Sequence, residues 1–60
     1  MMDAFIVGHY INKMVDVYCG EPDKFEGVVE GCSDGVLTLK KDEAYTHIAT
    51  DKIVAIWEKV

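Results

Sequence analysis

The sequence contains no arginine; its six basic residues are all lysines. Eleven acidic residues outnumber them, leaving a formal charge of −5 and a pI near 4.7. That balance excludes a binder that relies on blanket attraction to nucleic acid or to an anionic membrane. No apolar run approaches the ~20 residues of a membrane span. Residues 1–8 carry no basic n-region, so no secretory signal is expected and the expected location is cytoplasmic, away from membranes. The parts of common enzymes are missing as well. There is no GxSxG, no glycine-rich phosphate loop ahead of a helix and no HExxH. The expectation is a protein that is not an enzyme and needs no cofactor. Glu26, Glu30 and Asp16 read as an acidic outer surface rather than a catalytic pair.

Cysteine is scarce too, with Cys19 and Cys32 allowing one disulfide. A hairpin turning near residues 21–24 sets Cys19 opposite Phe25 and leaves Cys32 ~20 Å away at strand rise. A disulfide needs Cα atoms within ~7 Å, so both cysteines are expected as small buried hydrophobes. No CxxC or HxxxH spacing recruits His9 or His47 to a metal, and none is expected. Sixty residues make one domain, 1–60. A chain this short buries only ~60% of the surface it exposes when unfolded, so oligomerisation is a natural source of added stability.

What is present is patterning, since half of the residues are hydrophobic. Asp3 reads as the cap of a short helix over about 3–12, with Ala4, Val7, Ile11 and Met14 at helical spacing. Asn12 is a left-handed stop. The period then changes to two. Residues 14–19 alternate, with Val15, Val17 and Cys19 on one face. Gly20-Glu21-Pro22-Asp23 is turn chemistry. Residues 25–32 form a second strand, with Phe25, Gly27, Val29 and Gly31 on one face. Glycines there mark a bend or a close backbone approach. Ser33-Asp34-Gly35 is a tight hairpin signal. Residues 36–40 follow with Leu37 and Leu39 inward, then a Lys41-Asp42-Glu43 turn, a strand over 44–50 and a short one over 53–57. A helix and five short antiparallel strands at this spacing read as all-β with a leading helix, closed or nearly closed into a small bent barrel.

These pieces, in this order, resemble the Sm-like superfamily, which includes the bacterial RNA chaperone Hfq and the archaeal Sm proteins. Val7-Gly8 and Ile11-Asn12 look like the end of the Sm helix. Phe25-Glu26-Gly27-Val28-Val29 is similar to the F-x-G-x-L core of the first Sm motif. Ile48-Ala49-Thr50-Asp51-Lys52-Ile53-Val54-Ala55-Ile56 looks like the second, and Tyr45-Thr46-His47-Ile48-Ala49-Thr50 is similar to the Hfq pattern YKHAIST. The resemblance covers roughly residues 7–56. It implies an SH3-like barrel that assembles into a closed homo-oligomeric ring of about five to eight subunits. The fourth strand of one subunit pairs there with the fifth of the next. Interface candidates are Trp57, Ile48, Ile53 and Val54, and Phe25, Gly27 and Gly31 form the bend.

The same resemblance implies an RNA face built by the loop after the second strand and the loop between the fourth and fifth. Its candidates here are Tyr45, His47 and Lys52 with Ser33, Asp34 and Gly35. The match is poorer at this face than in the scaffold. Gly35 stands where Hfq has a stacking aromatic, Ala49-Thr50 stands where Sm proteins have Arg-Gly, and Thr46 replaces a lysine. Single-stranded RNA recognition needs flat side chains and cationic donors. The expected function is therefore a non-enzymatic ring-forming binding module or scaffold, with RNA binding reduced or lost and another protein as a candidate partner. The alternative is an RNA-binding ring for short U-rich or A-rich RNA. His9 and the Lys40-Lys41 pair read as solvated positions.

Overall fold

The computed structural model describes residues 2–60. Helix α1 spans Met2–Tyr10, followed by β1 (Met14–Tyr18), β2 (Lys24–Ser33), β3 (Val36–Lys41), β4 (Ala44–Ala49) and β5 (Ala55–Glu58), with a 3-10 turn at Thr50–Lys52 before β5. The helix stops early because Asn12 takes a left-handed φ of 65°, a conformation that asparagine tolerates better than most residues. Stopping there changes which stripe is buried. Ala4 and Val7, two of the apolar residues at helical spacing, are exposed, and Met14 belongs to β1. The buried stripe is Met2, Ile6 and Tyr10 at i, i+4 and i+8, with Ile6 fully enclosed. Asp3 lies inside the first turn instead of capping it.

The strands form one antiparallel sheet in the order β4-β3-β2-β1-β5. Two of its hairpins turn through paired left-handed residues, Asp34 with Gly35 and Asp42 with Glu43, the geometry of the tightest hairpin turns. The β1–β2 register sets Val17 opposite Phe25 and Tyr18 opposite Lys24. Cys19 therefore meets Asp23, whose carbonyl accepts its N–H, and not Phe25 as the turn placement predicts. Both cysteines are free thiols.

A bulge between Val29 and Gly31 shifts the β2–β3 register. It separates the two strand glycines. Gly27 keeps to the inner face opposite Val15, where a Cβ would come within 3.0 Å of Leu39 Cβ and 3.1 Å of the Lys40 carbonyl. This is the close approach that its position predicts. Gly31 pairs with Thr38 on the outer face and has open space around it, so the shared face expected for Phe25 and Gly31 is broken by the one extra residue. Beside the bulge, Val29 bonds to the helix exit: it donates to the Lys13 carbonyl and accepts from Asn12 N–H.

Ile6, Val15, Val17, Val29, Cys32, Leu37, Leu39 and Ile48 make the core. The sheet wraps around them, and the molecule measures 25 × 24 × 21 Å. It does not close into a barrel. Among the described residues, β4 pairs with β3 alone and β5 with β1 alone, so both outer edges are open. The third–fourth strand turn and the chain after β5 are instead drawn together by charge. Glu26 on β2 accepts hydrogen bonds from Lys41 at the end of β3 and from Lys59 beyond β5.

Candidate functional site

The residues singled out for nucleic-acid contact divide into two groups. At one end of the sheet, the Asp34-Gly35 hairpin meets the 3-10 turn: the Gly35 carbonyl accepts the Thr50 N–H at 2.9 Å. Ser33, Asp34, Gly35 and Lys52 thus belong to two adjoining loops. Asp3 reinforces this end, its carboxylate accepting the Gly35 N–H at 3.0 Å and the Cys32 thiol at 3.6 Å. Tyr45 lies toward the other end of β4, opposite Lys40, five residues before Thr50, or ~16 Å at strand rise. His47 sits between them, opposite Thr38, whose Oγ1 shares a 3.1 Å hydrogen bond with His47 Nδ1. Tyr45 and His47 share the outer face, as their spacing requires, but Tyr45 does not join the loops.

The electrostatics at the loop end are acidic. Asp34 on one loop and Asp51 beside Lys52 on the other are both acidic, and Glu30 stands on the bulge. A solvent-open cavity of about 450 Å³ lies along the bulge, lined by Glu30, Ser33, Asp34, Val36 and Thr38 among others. Two carboxylates and two hydroxyls line it, with no cation in that set. Among the described residues, no three His, Cys, Asp or Glu side chains gather to hold a metal ion. Burial first, then the charge of Asp3 and the hydrogen bond to it, push the Cys32 thiol up to about 11, away from the thiolate form. The Cys19 thiol is also raised, by burial and by the charge of Asp23.

The two basic residues read as a solvated turn have partners. Lys40 Nζ stands 5.6 Å from the Tyr45 ring centre and Lys41 bonds Glu26. On the opposite edge, Lys24 Nζ stands 5.6 Å from the Trp57 ring centre. His9 is exposed, as expected, with its ring 4.4 Å from that of Phe5.

Sequence reasoning missed two positions. Asp16, read as part of the acidic outer surface, retains only 7% exposure because Glu26 and Trp57 flank it across the ladders. Asp3, read as a cap, ties the helix to the β2–β3 turn. Nothing local signals either; both depend on contacts between elements distant in sequence.

The fold is that of a small β-rich domain with one short leading helix. Residues 2–59 match the family described as Domain of unknown function (DUF6897), and the chain belongs to that family. No curated protein and no solved structure matches it. No helix among the described residues is long and apolar enough to cross a membrane.

Proposed function

We propose that the chain is a non-enzymatic, ring-forming binding module of Sm-like architecture, cytoplasmic, with an RNA-binding face that is reduced or lost. The sheet order carries this reading: β4 and β5 lie at the two ends with unpaired edges. Open edges with free N–H and C=O groups are templates for further strands. Copies joined head to tail, β4 to β5, satisfy both edges when the rotation closes. The side chains there suit burial, since Tyr45, Val54 and Trp57 are among the most exposed large hydrophobics. The sheet's failure to close on itself is what the reading needs, because a closed barrel leaves nothing to pair.

The charge argues for a reduced RNA role. The loop end offers Lys52 against Asp34 and Asp51, in a chain of net charge −5. Phosphate contacts need cations to release counterions, and Gly35 has no ring to stack. One observation favours the RNA-binding alternative: the two loops that the resemblance assigns to RNA adjoin through Gly35 and Thr50.

Native mass spectrometry of the protein, alone and with short U-rich or A-rich RNA, tests both readings. A closed ring that stays bare at low salt is the expected result and directs the search to a protein partner. A ring carrying RNA in fixed stoichiometry, lost in His47→Ala, establishes the alternative. A monomer overturns the assembly.

A further inference from the structure

We propose that β5 is a releasable strap: the bond from Lys59 to Glu26 latches it, and without that latch it leaves β1 while α1 and β1–β4 stay folded. This is a property of the single chain and does not rest on the ring. The first support is what β5 lacks. All eight core side chains come from α1 and β1–β4. β5 has four residues, pairs with β1 alone and adds only the half-buried Ile56 to that core. Ala55, Trp57 and Glu58 are exposed, and Val54, which leads into the strand, is 68% exposed. Segments with few buried apolar contacts and exposed backbone bonds open locally, at less cost than the whole domain.

What fastens β5 beyond its ladder is charge. Lys59, just past the strand, reaches across β1 to Glu26 on β2. Glu58 stands 3.7 Å from Lys13, and the Lys24 ammonium stands 5.6 Å from the Trp57 ring centre. The Lys59 contact differs from these two because of what lies beneath it. Asp16 and Glu26 are directly opposite each other on β1 and β2, and Trp57 is directly opposite Asp16 on the other side. Closing β5 therefore shuts Asp16 in, at 7% exposure, beside a second carboxylate. Like charges placed so repel, and a buried charge needs a countercharge. Lys59 serves both: the hydrogen bond to Glu26 first, then the charges of Glu26 and Asp16, raise its pKa and keep it charged. Lys41 bonds the same Glu26, but it ends β3 and holds nothing of β5.

Release changes which strand ends the sheet. The Lys59 N–H donates to the Met14 carbonyl at 2.9 Å. By the alternation of an antiparallel ladder, Asp16 and Tyr18 also turn their N–H and C=O groups toward β5. An open strap bares those groups, a template for another strand, and moves the free edge from β5 to β1. Both side chains of the latch reach solvent, so salt screens it. Ionic strength is then the signal that sets how often the strap opens.

Amide hydrogen exchange, followed by NMR at one protein concentration in wild type, Lys59→Gln and Lys41→Gln, tests the strap. In the wild type, the Val54 and Trp57 amides should exchange ahead of those of Leu37 and Leu39 at the sheet centre. Lys59→Gln should speed Val54 and Trp57 by about three- to tenfold, the worth of one charged pair. Lys41→Gln takes an ion pair from the same Glu26 but leaves β5 latched. It should speed Leu37 and Leu39 and leave Val54 and Trp57 at the wild-type rate. Added salt should speed Val54 and Trp57 more in the wild type than in Lys59→Gln. Exchange of Val54 and Trp57 in step with Leu39 in the wild type overturns the proposal, because β5 then opens only with the whole domain. So does a Lys41→Gln variant that speeds Val54 as much as Lys59→Gln does, or a Lys59→Gln variant that leaves Val54 unchanged. The comparison between variants reads the strap in a single chain and in a ring alike.

Discussion

At the scale of single residues, Gly27 and Gly31 make the sharpest contrast. Both are strand glycines four apart, and the sequence alone assigns them the same role. At Gly27 a Cβ would meet Leu39 Cβ at 3.0 Å and the Lys40 carbonyl at 3.1 Å. The backbone carbonyl cannot step aside without disturbing the β2–β3 ladder. Gly27→Ala is expected to lower stability by about 1–3 kcal/mol, the range for overpacking a tight site. Gly31→Ala meets open space and should change stability by no more than about 0.5 kcal/mol. Urea denaturation of both variants checks the pair, and equal losses would reject the distinction. The close approach at Gly27 was legible because a glycine inside a strand marks a bend or a close backbone approach. The role of Gly31 was not, because a bulge of one residue leaves no mark in composition and only the partner strand shows where the register slips.

Glu26 supplies the pH dependence at the same scale. Hydrogen bonds from Lys41 and from Lys59, with their charges, hold its carboxyl down to about 2, against an ordinary 4.5. Its folded value is depressed, so the contribution is fully present above pH 4.5 and is lost as pH falls through about 2. Stability measured by urea at several pH values should show wild type above Glu26→Gln near neutrality, with the difference shrinking below pH 4.5. Because the groups are partly exposed, added salt should narrow that difference at neutral pH. A gap that ignores both pH and salt would mean that Glu26 acts through packing. The lysine pair itself was readable only as a turn with acids beside it. Its true partner lies across the sheet, on the far side of a hairpin and a register shift.

At the scale of elements, the strands were legible and their ends less so. Alternation at Val15 and Val17, and at Leu37 and Leu39, marked the inner face, and those four side chains are core residues. The hairpin at Asp34-Gly35 followed from its turn chemistry. The helix was harder because its apolar residues occur all around it, so spacing did not select a face. The sheet did, taking Ile6. What fastens the helix is equally non-local: Asp3 bonds the Gly35 N–H and the Cys32 thiol. Asp3→Ala removes a charged acceptor from that backbone N–H, and a loss of about 1–2 kcal/mol is expected. The same substitution removes the charge and the hydrogen bond that help hold the Cys32 thiol near 11, so alkylation at mildly basic pH should speed up. A stability loss without faster alkylation would mean that the tie acts only on the turn.

At the scale of the whole molecule, the open sheet governs what the protein can do. The expectation of a barrel rested on strand count and bends, and these do not determine whether first and last strands meet. Here β4 and β5 stay apart, and that leaves two edges on a domain of 60 residues. A chain this small has little stability of its own to spare, so pairing the edges should show as mass action: a protein that associates only when folded gains stability as its concentration rises. The midpoint of thermal unfolding should therefore climb with protein concentration for the wild type. Trp57→Lys places a charge at the centre of the β5 edge while leaving the core residues untouched, and lysine on an edge strand opposes pairing. Its midpoint should be lower and independent of concentration, with an unchanged far-ultraviolet circular dichroism spectrum to show that each chain still folds. If the wild-type midpoint is itself flat over a hundredfold or so of dilution, with the protein monomeric at both limits, then the two edges are held apart by design against association, and the binding surface must be sought on the outer face between Thr38 and His47.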